Sequence, residues 1–552
     1  MSRPALTTMA VLATMAVLAT MAGALTVVAS TPARPTAQDP GVSRLRRHVA
    51  ILASDAMEGR SPGTRGEDLS VRYIEGQFAG AGLCPGFHGR WREPVPMLAV
   101  TPTRWRLVVA DGSGRTRSPD IEDLVLTSGR HNSHASVRHS RLVFAGYGIH
   151  APDLGRDDYA GTDVRGRTVL LLTGVPPTPA FRSGDAAFRY GYVPNKVAEA
   201  ARRGAEAVLV VVGAGAAWRR VAEAAHSRRV SSDPPVSLPR PAIEGRAATG
   251  AVDGILGRPG KLAELERAAQ APGFQTIDLG VDVDAAVSSR VEHFVSSNVI
   301  AWLPGTERPA EHVIFTAHWD HLGRCPSGPG KDHICNGAVD NASGVASLIE
   351  LARRFAKEGP RKRSMLFIAT TGEESGFVGS SRYVAHPAFP LQYAVGGANL
   401  DMTAGRARGA DVVLFGRGLS QIDEVFDEAA RLQGRRIVSP RPTEASSYTL
   451  SDGIVFIRAG VPLLTASGLW AEGPGREAFD EYEAKRYHQP SDELEAIPSF
   501  EGAAQDVELN HLFGRALADS TDWPEWRLGS GYSRHPAAPP TRPVNKVRST
   551  CR

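Results

Sequence analysis

The chain has 552 residues, 42% of them hydrophobic and 22% charged, with 57 Gly, 39 Pro and 4 Cys. That composition excludes a collagen-like, disordered or disulfide-framework protein, and the length predicts two to four domains, each able to bury a core. The net charge is +4, only 7 of the 63 basic residues are Lys, and no basic run is interleaved with aromatics, so nothing marks a nucleic-acid partner.

In chain order, the first feature is an uncharged stretch between Arg3 and Arg34 that contains a tandem TMAVLA. A one-Arg start, an apolar run and the small residues Val28-Ala29-Ser30 read as a secretory signal peptide over 1–30, hence a periplasmic or secreted protein. The run is also long enough to span a bilayer, so an uncleaved anchor is the rival reading. Apolar residues at helical spacing predict two helices within 44–83, stopped by Leu83-Cys84-Pro85-Gly86. From 101 to 285 the texture becomes TRWRLVVA, SRLVFAGYGI, GRTVLLLTG and AEAVLVVVG, short strands separated by Gly, Pro and Asp, with one helix at Asn195–Arg203. This reads as an inserted β-rich module that divides a domain begun at 40–100.

The second half, 290–526, alternates strands and helices. SNVIAWLPG, HVIFTAHWD, SMLFIATT, AVGGANLD, DVVLFG and GVPLLTAS are the strands; Asn341–Phe355, Leu419–Leu432 and Ser499–Ala518 are the helices. That alternation predicts an α/β sandwich with a mainly parallel mixed sheet. The remainder, 527–552, is Pro/Arg-rich and reads as a flexible tail. Cys325 and Cys335 flank one Gly/Pro/Ser loop and form the disulfide candidate. A thiolate zinc pair is the alternative, disfavoured because C-x-x-C spacing is lacking. Cys84 and Cys551 are left as free thiols.

Ligands of open α/β sheets bind at the carboxyl ends of strands. Those ends here carry His318-Trp319-Asp320-His321, Asp340-Asn341 at the head of the following helix, Glu373-Glu374 and Asp401, with Tyr487-His488 in a later polar loop. Each piece alone is a weak signal. As an ordered set they would repel one another without a cation, and imidazole plus carboxylate without thiolate suits zinc or a similar divalent ion.

AHWDHLG, NGAVDNASGVA, TTGEESGFVGS, NLDM and RYHQPSDE resemble the co-catalytic di-zinc aminopeptidase family, whose relatives include glutamate carboxypeptidases and glutaminyl cyclases. LASDAMEGRSPGTRGE is similar to its N-terminal segment, and VFAGYGIHAPDLGRDDYAGTDVRGRTVLLL resembles a protease-associated domain. The resemblance implies two Zn2+ per chain. His318 and Asp401 would bind one, Glu374 and His488 the other, with Asp340 bridging. It implies Glu373 as general base and Tyr487 as oxyanion donor. Asp320, just past His318, is better placed to orient that imidazole than to bind metal, and Asp492 is a weaker candidate for similar work. Glu373 and Glu374, as neighbours at a strand end, should point to opposite sides. His321 is expected to pack or hydrogen-bond nearby. Asn341-Ala-Ser matches a glycosylation sequon but abuts the bridging carboxylate, so a glycan there is discounted.

The activity implied is zinc-dependent hydrolysis of N-terminal residues from peptides. Glutaminyl cyclase and carboxypeptidase or dipeptidase activity on the same scaffold are the alternatives. No G-x-S-x-G elbow, P-loop or dinucleotide fingerprint occurs; no nucleic-acid partner is expected, and no stable membrane partner if the signal is cleaved.

Overall fold

The computed structural model describes residues 39–534 apart from 183, 235–238, 326–330, 443, 446 and 474. The expected signal peptide, Cys551 and residues 535–552 of the expected tail lie outside the described residues.

The strand Arg308–His318 is central. It runs parallel to Arg363–Thr370 on one side and to Ala394–Asn399 on the other. Every residue of those two flanking strands is buried, which is why they read as continuous apolar runs rather than alternating ones. Leu463–Ser467 adds a parallel strand, Asp411–Phe415 pairs antiparallel with it, and Arg436–Val438 closes that edge. On the other side Ile277–Leu303 pairs antiparallel with Arg363–Thr370.

Helices cover both faces. Pro40–Leu52, Arg65–Gly80, Gly344–Glu358, Ile422–Leu432 and Glu501–Asp519 share one core with the sheet; Val378–Ala385 and Gly453–Arg458 line the other. Phe315 of the central strand stacks on Phe367, with centroids 5.8 Å apart, and meets Phe513 edge-on at 6.3 Å. Gly514 sits inside the last helix, where Gly costs about 1 kcal/mol against Ala. A Cβ there would come within 2.8 Å of both the Phe315 and Phe355 rings, so the close approach of helix to sheet requires it. Arg44 of the first helix donates to both oxygens of the buried Glu350 at 2.9 and 2.8 Å, tying that helix to Gly344–Glu358.

The inserted stretch does not stand on a sheet of its own. Arg92–Asp111 and Ile277–Leu303 pair antiparallel from Arg92↔Val299 to Val281↔Asp111. These two ribbons carry the sheet out of the α/β layers into the module. There His134–Phe144, Thr168–Leu172, Ala207–Val212 and Ile243–Ala248 run parallel, with Leu124–Ser128 antiparallel at the edge. Separate apolar clusters pack the module. It is α/β rather than simply β-rich. The expected helix is present as Val193–Arg202, but Ala216–Glu223, Thr249–Leu256 and Lys261–Gln270 are helical too. These helices are short and rich in Ala and Gly, so their apolar faces carry little contrast in the sequence.

Cys325 and Cys335 form a disulfide, Cα–Cα 5.7 Å. Cys84 is disulfide-bonded as well, correcting the expectation of a free thiol: a single Cys far from the others in sequence gives no sign of its partner. Residues 527–534, expected in the tail, are tied to the fold. Arg527 N donates to Leu419 O at 2.9 Å, and Arg534 donates to Ala394 O and Val395 O at 3.1 and 2.9 Å. Among the described residues no helix is long and apolar enough to cross a membrane.

Candidate metal centre

The site is built from strand ends inward. His318 is the last residue of the central strand and is 2% exposed. Its Nδ1 lies 3.2 Å from the Asp320 carbonyl oxygen and 3.8 Å from Asp320 Oδ1, so its Nε2 faces the cluster, 3.3 Å from Asp340 Oδ1 and 3.5 Å from Asp401 Oδ1. Asp320 thus sits where an orienting partner should. Its Oδ1 also accepts from the Glu373 backbone N–H at 3.1 Å, and its Oδ2 has no partner among the described residues.

The turn Ala338–Ser343 shows why Asp-Asn-Ala-Ser-Gly occurs as a unit. Asp340 has non-helical angles (φ −106°, ψ 101°), and the regular helix starts only at Gly344 rather than at Asn341. Asn341 Oδ1 accepts from Gly344 N and Met402 N, while its Nδ2 donates to Leu400 O. Ser343 Oγ donates to Val339 O and accepts from Thr403 N. Asn and Ser side chains here replace helical hydrogen bonds and strap the Asp340 turn to the loop bearing Asp401. Gly344 is obligatory, since a Cβ would meet Asn341 Oδ1 at 2.1 Å and Leu400 O at 2.4 Å. Asn341 is fully buried, which agrees with discounting the sequon. Asp492 accepts from Val339 N and Asp340 N at 3.0 and 3.2 Å and from Tyr482 OH at 2.9 Å. It therefore holds the Asp340 backbone, where the sequence suggested only a weak candidate.

Glu373 and Glu374 diverge, but not through strand alternation. The strand ends at Thr370, and the pair occupies the turn after it. Glu374 Oε1 lies 2.7 Å from His321 Nδ1 and its Oε2 lies 3.2 Å from His488 Nε2. His488 Nε2 is also 3.1 Å from Asp340 Oδ2. Glu373 instead lines a cavity of about 320 Å3 together with His318, Asp340, Asp401 and Tyr487. Met402, Phe415, Leu450 and Trp470 supply apolar lining to the same cavity, and Glu444 and Glu483 add carboxylates. Tyr487 is 41% exposed and its ring stacks on His488 at 3.8 Å between centroids.

Among the described residues two groups of ligand-type atoms result, each within 4.8 Å: His318, Asp340 and Asp401; and His321, Asp340 and Glu374. Asp340 belongs to both. His321 is the residue the sequence underweighted. It is 1% exposed, its Nε2 lacks a partner among the described residues, and its ring faces His488 edge-on at 5.6 Å. A strand-end histidine next to an already assigned one carried no separate signal.

Electrostatics within the cluster are strong. Burial, with the charges of Glu374 and Asp401 added, pushes the Glu373 carboxyl well above the usual range, and His318 offsets only part of this. Burial alone would raise Asp340 too, but hydrogen bonds from His318 and His488 hold it well below. His488 would be lowered by burial, yet Glu374 and Asp340 lift it to about 10. Burial raises Asp320 to about 7. Closely spaced buried carboxylates of this kind require a cation.

One cation is already present. Arg60 is 1% exposed, and it donates from Nε to Trp319 O (2.9 Å), from Nη1 to Leu52 O (2.7 Å) and Asn336 O (2.6 Å), and from Nη2 to Gly337 O (2.9 Å). It thereby joins the loops that carry His318, His321 and Asp340. It stands on a left-handed turn, Glu58-Gly59-Arg60 with φ 50°, 65° and 53°. A Cβ on Gly59 would strike Gly323 O and Cys335 O at 2.5 and 2.6 Å, so this turn is wedged beside the disulfide-bonded hairpin. The remaining donor set is imidazole and carboxylate without thiolate, shared through one aspartate. That chemistry fits a pair of divalent ions of the zinc type.

Residues 298–508 match peptidase family M28. Among relatives, the vacuolar membrane protease of Lachancea thermotolerans is 28% identical over 149 residues, covering 27% of this chain and 14% of its own length. Aminopeptidase NAALADL1 of Mus musculus is 33% identical over 121 residues, covering 20% of this chain and 14% of its own. The chain therefore spans only a small part of either relative. The aminopeptidase from Aneurinibacillus sp. strain AM-1 shares the fold, with a TM-score of 0.54 and 21% identity across 87% of this chain and 95% of that one. All of the expected site residues from His318 to His488 lie inside the matched stretch. Arg60 does not, and joins it from the N-terminal segment.

Proposed function

We propose that the protein is an exported zinc-dependent aminopeptidase that holds two zinc ions. The observation that carries this reading is the pair of ligand groups that share Asp340, beside a cavity lined by His318, Asp340, Asp401 and Glu373. His318 and Asp401 would hold one ion, Glu374 with His488 and His321 the other, and Asp340 both. Zinc, when bound, supplies Lewis-acid polarisation of the scissile carbonyl and eases deprotonation of water.

The chain's own residues do the rest. Glu373 takes the proton of the attacking water and passes it to the leaving amine, a role that suits a carboxylate whose affinity for protons is raised by burial. The Tyr487 hydroxyl donates to the oxygen on which negative charge develops. Asp320 and Asp492 keep His318 and Asp340 in register. The apolar wall of Met402, Phe415 and Trp470 receives the side chain of the N-terminal residue. Export is supported by the uncharged stretch before Arg34 and by the disulfides at Cys325–Cys335 and Cys84, which belong in an oxidising compartment.

The test is zinc per chain and activity on a free-amine dipeptide for wild type and Asp340→Ala. We expect two zinc ions and turnover in the wild type, and loss of both in the variant. Retention of two tightly bound ions by Asp340→Ala refutes the shared position. A wild type that cyclises N-terminal glutamine but cleaves no dipeptide refutes the aminopeptidase.

A further inference from the structure

The inserted module contains a second polar cavity, of about 200 Å3, far from the ligand groups in sequence and sharing no residue with the first. It lies where the helices Gly184–Gly191 and Val193–Arg202 meet the turn at Gly148. Lys196, Arg189, Arg202 and His150 line it, and among the described residues Glu199 is the one carboxylate in the lining.

Lys196 is the unusual member. It is 2% exposed, although it carries an ammonium group. Nζ donates to Tyr147 O at 2.5 Å and lies 5.6 Å from the Tyr147 ring centroid. An ammonium has three donors, and no carboxylate comes within 4.0 Å of this one among the described residues. The neighbouring carboxylates are committed elsewhere. Asp158 pairs with Arg156 at 2.8 Å and accepts from Ile149 N at 3.0 Å. Glu199 is taken by Arg203 at 2.7 Å and by Arg202. His150 faces Asp157 at 3.1 Å. Among the described residues the lining thus sets Lys196, whose ammonium pKa is lowered by burial to about 7, with Arg189 and Arg202 against a single carboxylate. Burying a charge without a counter-charge is strongly unfavourable, and an oxyanion that accepts from an ammonium and two guanidinium groups removes that cost through charge-assisted hydrogen bonds.

We propose that this cavity is an anion site of the inserted module, taking a small doubly charged oxyanion of the phosphate class on Lys196, Arg189 and Arg202. With Lys196 protonated, the described lining carries two positive charges beyond Glu199, which match a dianion better than a single carboxylate group. The site is independent of the peptidase reading: it would stand if the chain proved to hydrolyse nothing.

The experiment is calorimetric titration of the full-length protein with inorganic phosphate, at ionic strength held constant with NaCl, with acetate in a parallel arm. Variants are Arg189→Ala, at an exposed position that cannot upset the core, and Lys196→Met, which keeps length and removes the ammonium. Expected results are saturable phosphate binding in wild type, at least tenfold weaker binding in Arg189→Ala, none at this site in Lys196→Met, and acetate at least tenfold weaker than phosphate. Should Lys196→Met fail to fold, Arg189→Ala decides alone. Absence of saturable binding in wild type, or phosphate binding unchanged in Arg189→Ala, as expected if the anion sits at the metal centre instead, overturns the proposal. Acetate binding as tight as phosphate overturns the dianion assignment.

Discussion

Replacing Glu373 and Glu374 separately by Gln should produce opposite phenotypes from adjacent residues. Both Glu374 oxygens are engaged, at 2.7 Å from His321 and 3.2 Å from His488. Glu373 donates its backbone N–H to Asp320 and lines the cavity with its side chain. Glu373→Gln keeps size and hydrogen-bonding capacity but cannot accept a proton. A positioned general base contributes about 10²–10⁴-fold, so the barrier should rise by roughly 3–5 kcal/mol at 1.36 kcal/mol per decade. KM should move little, because the cavity wall is untouched, and zinc content should match wild type. Glu374→Gln removes an anionic donor from the group that also holds His321 and Asp340, so it should lose one ion along with activity. The assay is zinc per chain on gel-filtered protein, followed by steady-state kinetics on a free-amine dipeptide. If Glu373→Gln loses metal and Glu374→Gln keeps it, the two assignments are exchanged. If both variants turn over at the wild-type rate, the reasoning from this cavity is wrong altogether.

Tyr487→Phe should lower kcat by about 10²-fold at unchanged zinc content if its hydroxyl meets the developing oxyanion; an unchanged kcat would reduce Tyr487 to a ring stacked on His488. Arg60→Lys keeps the charge but has fewer donors than the four carbonyls held now, and each buried carbonyl left bare costs about 1–3 kcal/mol. Zinc affinity should therefore fall at least tenfold and Tm should drop. A lowered Tm with wild-type zinc affinity would show that Arg60 serves the fold and not the metal loops. Burial would raise the Glu350 carboxyl, but hydrogen bonds from Arg353 and Arg44 hold it down to about 2. A carboxylate depressed on folding stabilises above its unfolded pKa and ceases to do so as pH falls through the folded one. Glu350→Gln should thus be less stable by about 3 kcal/mol at pH 7, with the gap closing between about pH 4.5 and pH 2. Urea melts across that range check it, and a gap independent of pH would contradict the ion-pair account.

Much of the site could be read from residue types in order. His318, Glu374 and Asp401 end or follow strands whose apolar runs were long enough to recognise, Asp340 precedes a helix and His488 lies in a polar loop, and the structure brings all five together. The expected helix start at Asn341 was early because Asn341 and Ser343 bond to the Leu400–Ala404 loop, a non-local choice no window of sequence contains. His321 was passed over because one histidine of that strand end already had a role.

The linear sequence by itself determined the chemistry and the layers: which side chains can ligate, and the alternation of strand and helix that makes a parallel sheet. Tertiary structure alone decided the rest. It made Arg60 a clamp on three separate loops, put Glu373 and Glu374 on diverging paths in a turn, and ran Arg92–Asp111 and Ile277–Leu303 through both halves as one sheet. It also buried Lys196 in a cavity of cations. The physical reason is the same in each case. Periodicity and local spacing report on neighbours within a few residues, whereas burial, charge compensation and shared hydrogen bonds are set by residues tens to hundreds of positions away.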